Sequence, residues 1–172
     1  MRKLIVLMIA MQSFKSGYSQ LPCSSKEYRQ FDFWIGEWDV FAKSGKKAGD
    51  SRITLILDSC VILEEWVSSN LVQGLRYAGK SFNTFNAATK NWQQTWVDNV
   101  GGSTEYLEGK FESNQMVFQS RPFAINKDTL AVRRLTFINL TSDRIRQHGE
   151  ISKDKGNSWT TEYDLEYRRK NK

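Results

Sequence analysis

Residues 158–168 alternate without a break. Trp159, Thr161, Tyr163, Leu165 and Tyr167 fall on one side of an extended backbone, and Thr160, Glu162, Asp164, Glu166 and Arg168 on the other. Successive side chains of a strand point to opposite faces, so this pattern specifies a strand with one buried and one wet face. A helix would scatter the aromatic residues around its circumference. The same period of two groups Trp38, Val40 and Ala42; Ile53, Leu55 and Leu57; Leu75, Tyr77, Gly79, Ser81, Asn83 and Phe85; and Ile145, Gln147, Gly149 and Ile151. Further strands are expected near 60–69, 91–98, 103–111, 115–121 and 129–139. Short polar or glycine-containing stretches at 43–46, 86–89, 99–102, 113–114 and 141–143 read as turns. Connections this short force neighbouring strands to be antiparallel. The expected fold is therefore all-β: a single closed or nearly closed antiparallel barrel of about ten strands, since closure removes exposed edges. A two-sheet sandwich shares this spacing and is the alternative. The one helical stretch is 26–35, before the first strand, with Ser24 or Ser25 placed to cap it and Gly36 to end it.

The first residues are set apart from this pattern. Met1-Arg2-Lys3, an apolar run from Leu4 to Met11, and small residues Gly17 and Ser19 read as a secretory signal peptide over 1–19, leaving 20–172 as one barrel domain. Pro22 before Cys23 does not fit a lipid-anchor signal, so no membrane anchor is expected, and the destination is secreted or periplasmic. Loss of Arg2, Lys3 and Lys15 leaves 22 basic residues against 19 acidic ones, and the basic cluster at 168–172 reads as a solvated tail. No basic face remains for nucleic acid. In an oxidising compartment Cys23 and Cys60 can pair; two unpaired cysteines are the alternative. One histidine and two cysteines exclude a multi-histidine or thiolate-cluster metal site, and no cofactor is implied.

Ser152-Lys153-Asp154-Lys155-Gly156-Asn157-Ser158-Trp159 fits S-x-D-x-G-x-[ST]-W, the Asp-box turn. Its expected role is structural: Asp folds back on backbone amides, Gly supplies positive φ, and Trp plugs the core below. Asn139-Leu140-Thr141 fits a glycosylation sequon and carries weight only in a eukaryotic secretory pathway.

Together with these motifs, Phe31-Asp32-Phe33-Trp34-Ile35-Gly36-Glu37-Trp38-Asp39-Val40 resembles the F-D-F-W-x-G-x-W-x-V opening of a family of exported, lipocalin-like (calycin-type) small β-barrel proteins. Cys60-Val61-Ile62-Leu63-Glu64-Glu65-Trp66, Trp92-Gln93-Gln94-Thr95-Trp96-Val97-Asp98, Arg146-Gln147 and the 152–159 hairpin extend the likeness along the chain. Ser59 departs from it, standing where the family usually has Gly. The resemblance implies a barrel of about ten strands, with Trp34 and Trp38 closing its base, and no assigned activity.

A small barrel is either filled or holds one ligand. The inward positions here are not simply aliphatic. Glu64, Trp66, Asn83, Trp92, Gln94, Trp96, Asp98, Arg134, Gln147 and Tyr163 are the candidate ligand-binding residues, because aromatic walls with a few polar groups characterise small-molecule sites. A buried Glu64 needs a partner or a raised pKa; Arg133 or Arg134 is the candidate, and alternation does not decide between them. The same residues could instead form a satisfied polar network with Trp as filler. The expected function is an exported binder of a small, partly apolar molecule, monomeric or weakly dimeric. One rival is a barrel enzyme using Glu64 and Asp98 as acid–base groups. Another is a haem-binding barrel, as in related ten-stranded barrels; its only candidate ligand, His148, falls on the outward face with Arg144 and Arg146.

Overall fold

The computed structural model describes residues 22–170. Two 3-10 turns, Lys26–Arg29 and Asp32–Trp34, precede eleven strands. These are β1 (Gly36–Ala42), β2 (Lys47–Ile56), β3 (Val61–Val72), β4 (Leu75–Asn86), β5 (Asn91–Asp98), β6 (Ser103–Glu112), β7 (Gln115–Ser120), β8 (Phe123–Asn126), β9 (Thr129–Thr141), β10 (Arg144–Ser152) and β11 (Thr160–Arg169). Every pairing is antiparallel. β7 pairs with β9, β9 with β10, and β11 returns to β1 with Trp38 opposite Arg169. Ten strands thus close a barrel, consistent with a lipocalin-like fold, and β8 is a short flap paired to β9 alone.

The up-and-down order sorts the connections. Turns at 57–60, 87–90, 113–114 and 142–143 lie at one end with the N-terminal turns; the others lie at the opposite end. The first end is sealed. Phe31, Trp34, Trp38, Phe118 and Phe137 are fully buried there. A 3-10 turn superposes residues three apart, so Phe31 stacks on Trp34 with ring centres 5.0 Å apart. Trp34 in turn meets Phe137 at 4.4 Å. Such ring pairs add about 0.5–1.5 kcal/mol each beyond their burial. The Trp38 indole donates to the Trp34 carbonyl at 2.9 Å. Arg169 straps this base from outside: its guanidinium lies 4.2 Å from the Trp38 ring centre and donates to the Ile35 carbonyl at 3.0 Å.

Cys23 and Cys60 form a disulfide across 37 residues, with Cα atoms 5.0 Å apart, and pin the N-terminal segment to the β2–β3 turn. In that turn Leu57, Asp58 and Ser59 all have positive φ. Leu57, expected to continue the inward series of β2, therefore turns out and is exposed.

The 152–159 hairpin is the expected turn. The Asp154 carboxylate accepts from the Ser158 amide at 2.8 Å and its hydroxyl, the Gly156 amide donates to Ser152 Oγ at 2.7 Å, and Gly156 has φ +91°. Hydrogen bonds from the Ser158 side chain and amide hold the Asp154 carboxyl down at about 2. Trp159 does not plug the core. It lies half-buried on the outer surface under the Arg134 guanidinium, 4.1 Å from its ring centre.

The reason is a β-bulge. Gly149 faces Tyr163, but Glu150 faces Thr161, so β11 carries one extra residue and Glu162 opposes none. The side-chain parity of β11 flips at that point. Tyr163, Leu165 and Tyr167 face inward as expected, whereas Thr161 turns outward to His148, 3.0 Å away, and Glu162 turns to the barrel mouth.

Candidate functional site

Above the aromatic base lies a belt of buried polar groups, drawn from strands whose alternation leaves no other direction for them. Gln94 Nε2 donates to Asn83 Oδ1 at 2.7 Å, Asn83 Nδ2 to Ser81 Oγ at 3.0 Å, and Ser81 Oγ to Glu64 Oε2 at 3.0 Å. Ser51 Oγ donates to Glu64 Oε1 at 2.9 Å. The Tyr167 hydroxyl stands 3.1 Å from Glu64 Oε1 and 3.0 Å from Gln147 Oε1, and its single proton serves one of them at a time. The chain of donors converges on Glu64, which is 3% exposed. Burial pushes its carboxyl above the ordinary value; the hydroxyls of Ser51, Ser81 and Tyr167 pull the other way without cancelling it. The partners of Glu64 are thus neutral hydroxyls, and the expected arginine is not among them.

Beyond the belt the barrel is hollow. A cavity of about 660 Å³ extends from Glu64, Gln94 and Gln147 towards the open end, a size within the range of small-molecule sites. Its walls are Trp66, Tyr77, Trp96, Tyr106, Tyr163, Leu135 and Leu165. Tyr163 is 37% exposed because it faces this open space.

Glycines on neighbouring strands keep the lumen clear. Trp66 lies over Gly49, where a Cβ would come within 2.6 Å of its ring; Trp96 and Tyr163 lie still closer over Gly79 and Gly149. Without a side chain beneath them, the rings rest flat on the wall instead of projecting into the centre.

Near the mouth, Asp98 closes the β5–β6 turn by accepting from the Val100 amide at 3.0 Å and the Gly102 amide at 2.8 Å. Its second oxygen accepts from the Tyr77 hydroxyl at 3.0 Å and lies 3.4 Å from the Trp96 indole nitrogen. Desolvation opposes its charge, but these donors together outweigh it and hold the carboxyl below its usual range. Across the opening, Arg133 and Glu162 form a two-pronged ion pair, with Nε–Oε2 2.8 Å and Nη2–Oε1 3.0 Å. Glu162 raises the affinity of Arg133 for its proton.

Of the candidate residues, Glu64, Trp66, Gln94, Trp96, Asp98, Gln147 and Tyr163 line this one cavity. Three do not. Trp92 sits in the sealed base, packed on Phe31 and Phe85, with its indole donating to Gln30 at 3.2 Å. Asn83 is fully buried inside the belt, tied to Ile62, Ser81 and Gln94. Arg134 is a correction: Leu135 and Phe137 point inward, so Arg133 shares their face, and Arg134 lies outside, paired with Glu150 at 2.8 Å. Glu162, Tyr77, Tyr106 and Tyr167 also line the cavity and are absent from the candidate set, as is Arg133, which alternation leaves open against Arg134. The period of β4 had already placed Tyr77 inward, and that of β11 Tyr167; the bulge hid Glu162. His148 lies on the outer face, so the only imidazole of the chain does not reach the cavity. Among the described residues no cluster of three or more His, Cys, Asp or Glu is arranged to hold a metal ion.

No protein-family model matches the sequence, and no curated protein matches it. The disulfide is compatible with an oxidising compartment, and among the described residues no helix is long and apolar enough to cross a membrane. The signal-peptide reading of 1–19 lies outside the described residues.

Proposed function

We propose that this protein is exported, to the periplasm or beyond, and binds a small, partly apolar molecule inside the barrel. One observation carries the reading: a hollow of about 660 Å³ with aromatic walls and a polar floor stands above a separately packed base. Were the polar belt only a device for fixing strand register, the space above it would be free to fill with aliphatic side chains. Instead, glycines keep the rings against the wall. Native mass spectrometry of protein purified from its own host tests this, with Glu64→Ala and Trp96→Ala as controls. A small molecule that co-purifies and is lost in both variants supports binding. A wild-type protein that is ligand-free and takes up no apolar probe refutes it.

A second reading rests on a different observation. Glu64 and Asp98 line one cavity, and their surroundings push their pKa values apart, Glu64 up and Asp98 down, as acid–base pairs require. Acid–base catalysis predicts turnover in a hydrolase or isomerase screen that Glu64→Gln or Asp98→Asn abolishes. The four donors already engaged by Asp98 favour the binding reading.

A further inference from the structure

We infer that the cavity selects an organic cation, an ammonium head carried on an apolar body, with Glu64 as its counter-charge. The inference rests on the binding reading above and specifies the class of ligand.

The argument begins with the charges facing the hollow. They are Glu64, Asp98, Glu162 and Arg133. Arg133, the one cation, is engaged by Glu162 through two short hydrogen bonds. Both groups are directed at each other, and a ligand anion would have to displace a carboxylate to reach the guanidinium. Two carboxyls then remain with no cationic partner. Asp98 is surrounded by backbone amides, a phenol and an indole; Glu64 is surrounded by three hydroxyls.

An ionisable group buried without a counter-ion is costly to the fold, and Glu64 stands on the floor of this hollow. A cationic head arriving there supplies the missing charge in a low-dielectric setting, where the attraction is strongest. The walls suit the same head: Trp66, Trp96 and Tyr163 lie over glycines of adjacent strands, Tyr77 and Tyr106 add further rings to the lining, and the faces of aromatic rings attract ammonium groups. Leu135 and Leu165 accommodate the apolar body.

Lysines at the rim, Lys43, Lys46, Lys153 and Lys155, are exposed. Their charges are screened by salt within about 8–10 Å, so they influence the approach of a ligand more than its binding at the floor. The arrangement disfavours a fatty acid or other carboxylate, whose head would meet Glu64 and Asp98 directly.

Three near-isosteric probes differing in charge test this: tryptamine (cation), tryptophol (neutral) and indole-3-acetate (anion). Their affinities are measured by isothermal titration calorimetry and by displacement of the neutral dye N-phenyl-1-naphthylamine. The expected order is tryptamine, tryptophol, indole-3-acetate, with about tenfold or more between the first two. Glu64→Gln, isosteric and uncharged, reduces that gap to about threefold or less, as expected when a counter-charge is removed. Glu162→Gln frees Arg133 and narrows the gap between tryptamine and indole-3-acetate. Arg134→Ala, on the outer face, leaves the order unchanged. If the dye binds but indole-3-acetate or tryptophol competes as well as tryptamine, or if Glu64→Gln leaves the preference intact, the charge inference is overturned while the binding reading stands. If neither dye nor any probe binds, the binding reading itself fails and the inference with it.

Discussion

Replacing Glu64 by Gln separates a carboxyl kept for a ligand from one kept for the fold. The side chain accepts from the Ser51 and Ser81 hydroxyls at 2.9 and 3.0 Å, and shares with Gln147 the proton of the Tyr167 hydroxyl, 3.1 Å away. A hydrogen bond to a charged acceptor is worth about 1.5–3 kcal/mol, and to a neutral one about 0.5–1.5. The change to an amide therefore forfeits about 1 kcal/mol per bond, or about 2–3 in all. Against this, removing the buried charge recovers the several kcal/mol that its desolvation costs. The raised carboxyl means that the second effect is the larger. The variant should be about 1–2 kcal/mol more stable than the wild type at pH 8, an increase in melting temperature of about 2–8 °C for a domain of this size.

The pH dependence fixes the sign independently. Because its pKa is raised on folding, the native state binds this proton more tightly than the unfolded chain does. That stabilisation is fully present below the ordinary carboxyl value of 4.5 and is lost as pH rises through the higher native value. The two proteins should therefore melt alike near pH 4 and diverge towards pH 8, with the wild type falling relative to Glu64→Gln. Calorimetric melting from pH 4 to 8 measures this. A variant less stable than the wild type at pH 8 by about 3–5 kcal/mol, the cost of breaking a buried charge pair, would refute the reasoning and make Glu64 a structural keystone.

Three further outcomes follow from the geometry. The double variant Cys23→Ser, Cys60→Ser opens a loop with a sequence separation of 37 and should lose about 4 kcal/mol in the chain-entropy model, seen as a melting point about 8–16 °C lower; a loss of under about 1 kcal/mol would show that the barrel holds its base segment without the clip. Ser59→Gly should stabilise by up to about 1 kcal/mol, because Ser59 has φ +69°, and a denaturant titration that shows a loss instead would contradict the strain argument. Gly149→Ala should cost about 1–3 kcal/mol, since the three atoms nearest the new methyl group all belong to the ring of Tyr163; displaced into the lumen, that ring should weaken N-phenyl-1-naphthylamine binding about tenfold, and unchanged dye affinity would argue against it.

The strand pattern made the barrel legible because a pleated backbone leaves each side chain two directions, and one of them was consistently wet. It read β1, β4 and β10 correctly, together with seven positions that line one cavity. What it could not see are events that break the count. The unpaired residue in β11 reverses inside and outside on the mouth side of Tyr163, moving Trp159 and Thr161 out and Glu162 in. Arg133 and Arg134 were indistinguishable as neighbours until Leu135 fixed which face was inner. Ser59, a departure from the resembled motif, turns out to occupy a left-handed position, which explains the usual glycine there. Gly49, Gly79 and Gly149 each provide space for a ring from the next strand, a role the period of two does not report. The division of the interior into packed base and hollow top depends on side chains meeting across the barrel, and no local pattern reports that.

The seam between β1 and β11 has a consequence for how the molecule can be presented. Arg169 lies opposite Trp38, and the Lys170 amide donates to the Glu37 carbonyl at 2.9 Å. The preceding segment is held at the same pole by the disulfide. Both ends of the described chain thus emerge beneath the sealed base, on the far side from the opening. A fusion partner, an affinity tag or an immobilising surface joined directly at either end of the described residues would leave the mouth pointing away from its attachment, unobstructed to incoming solute.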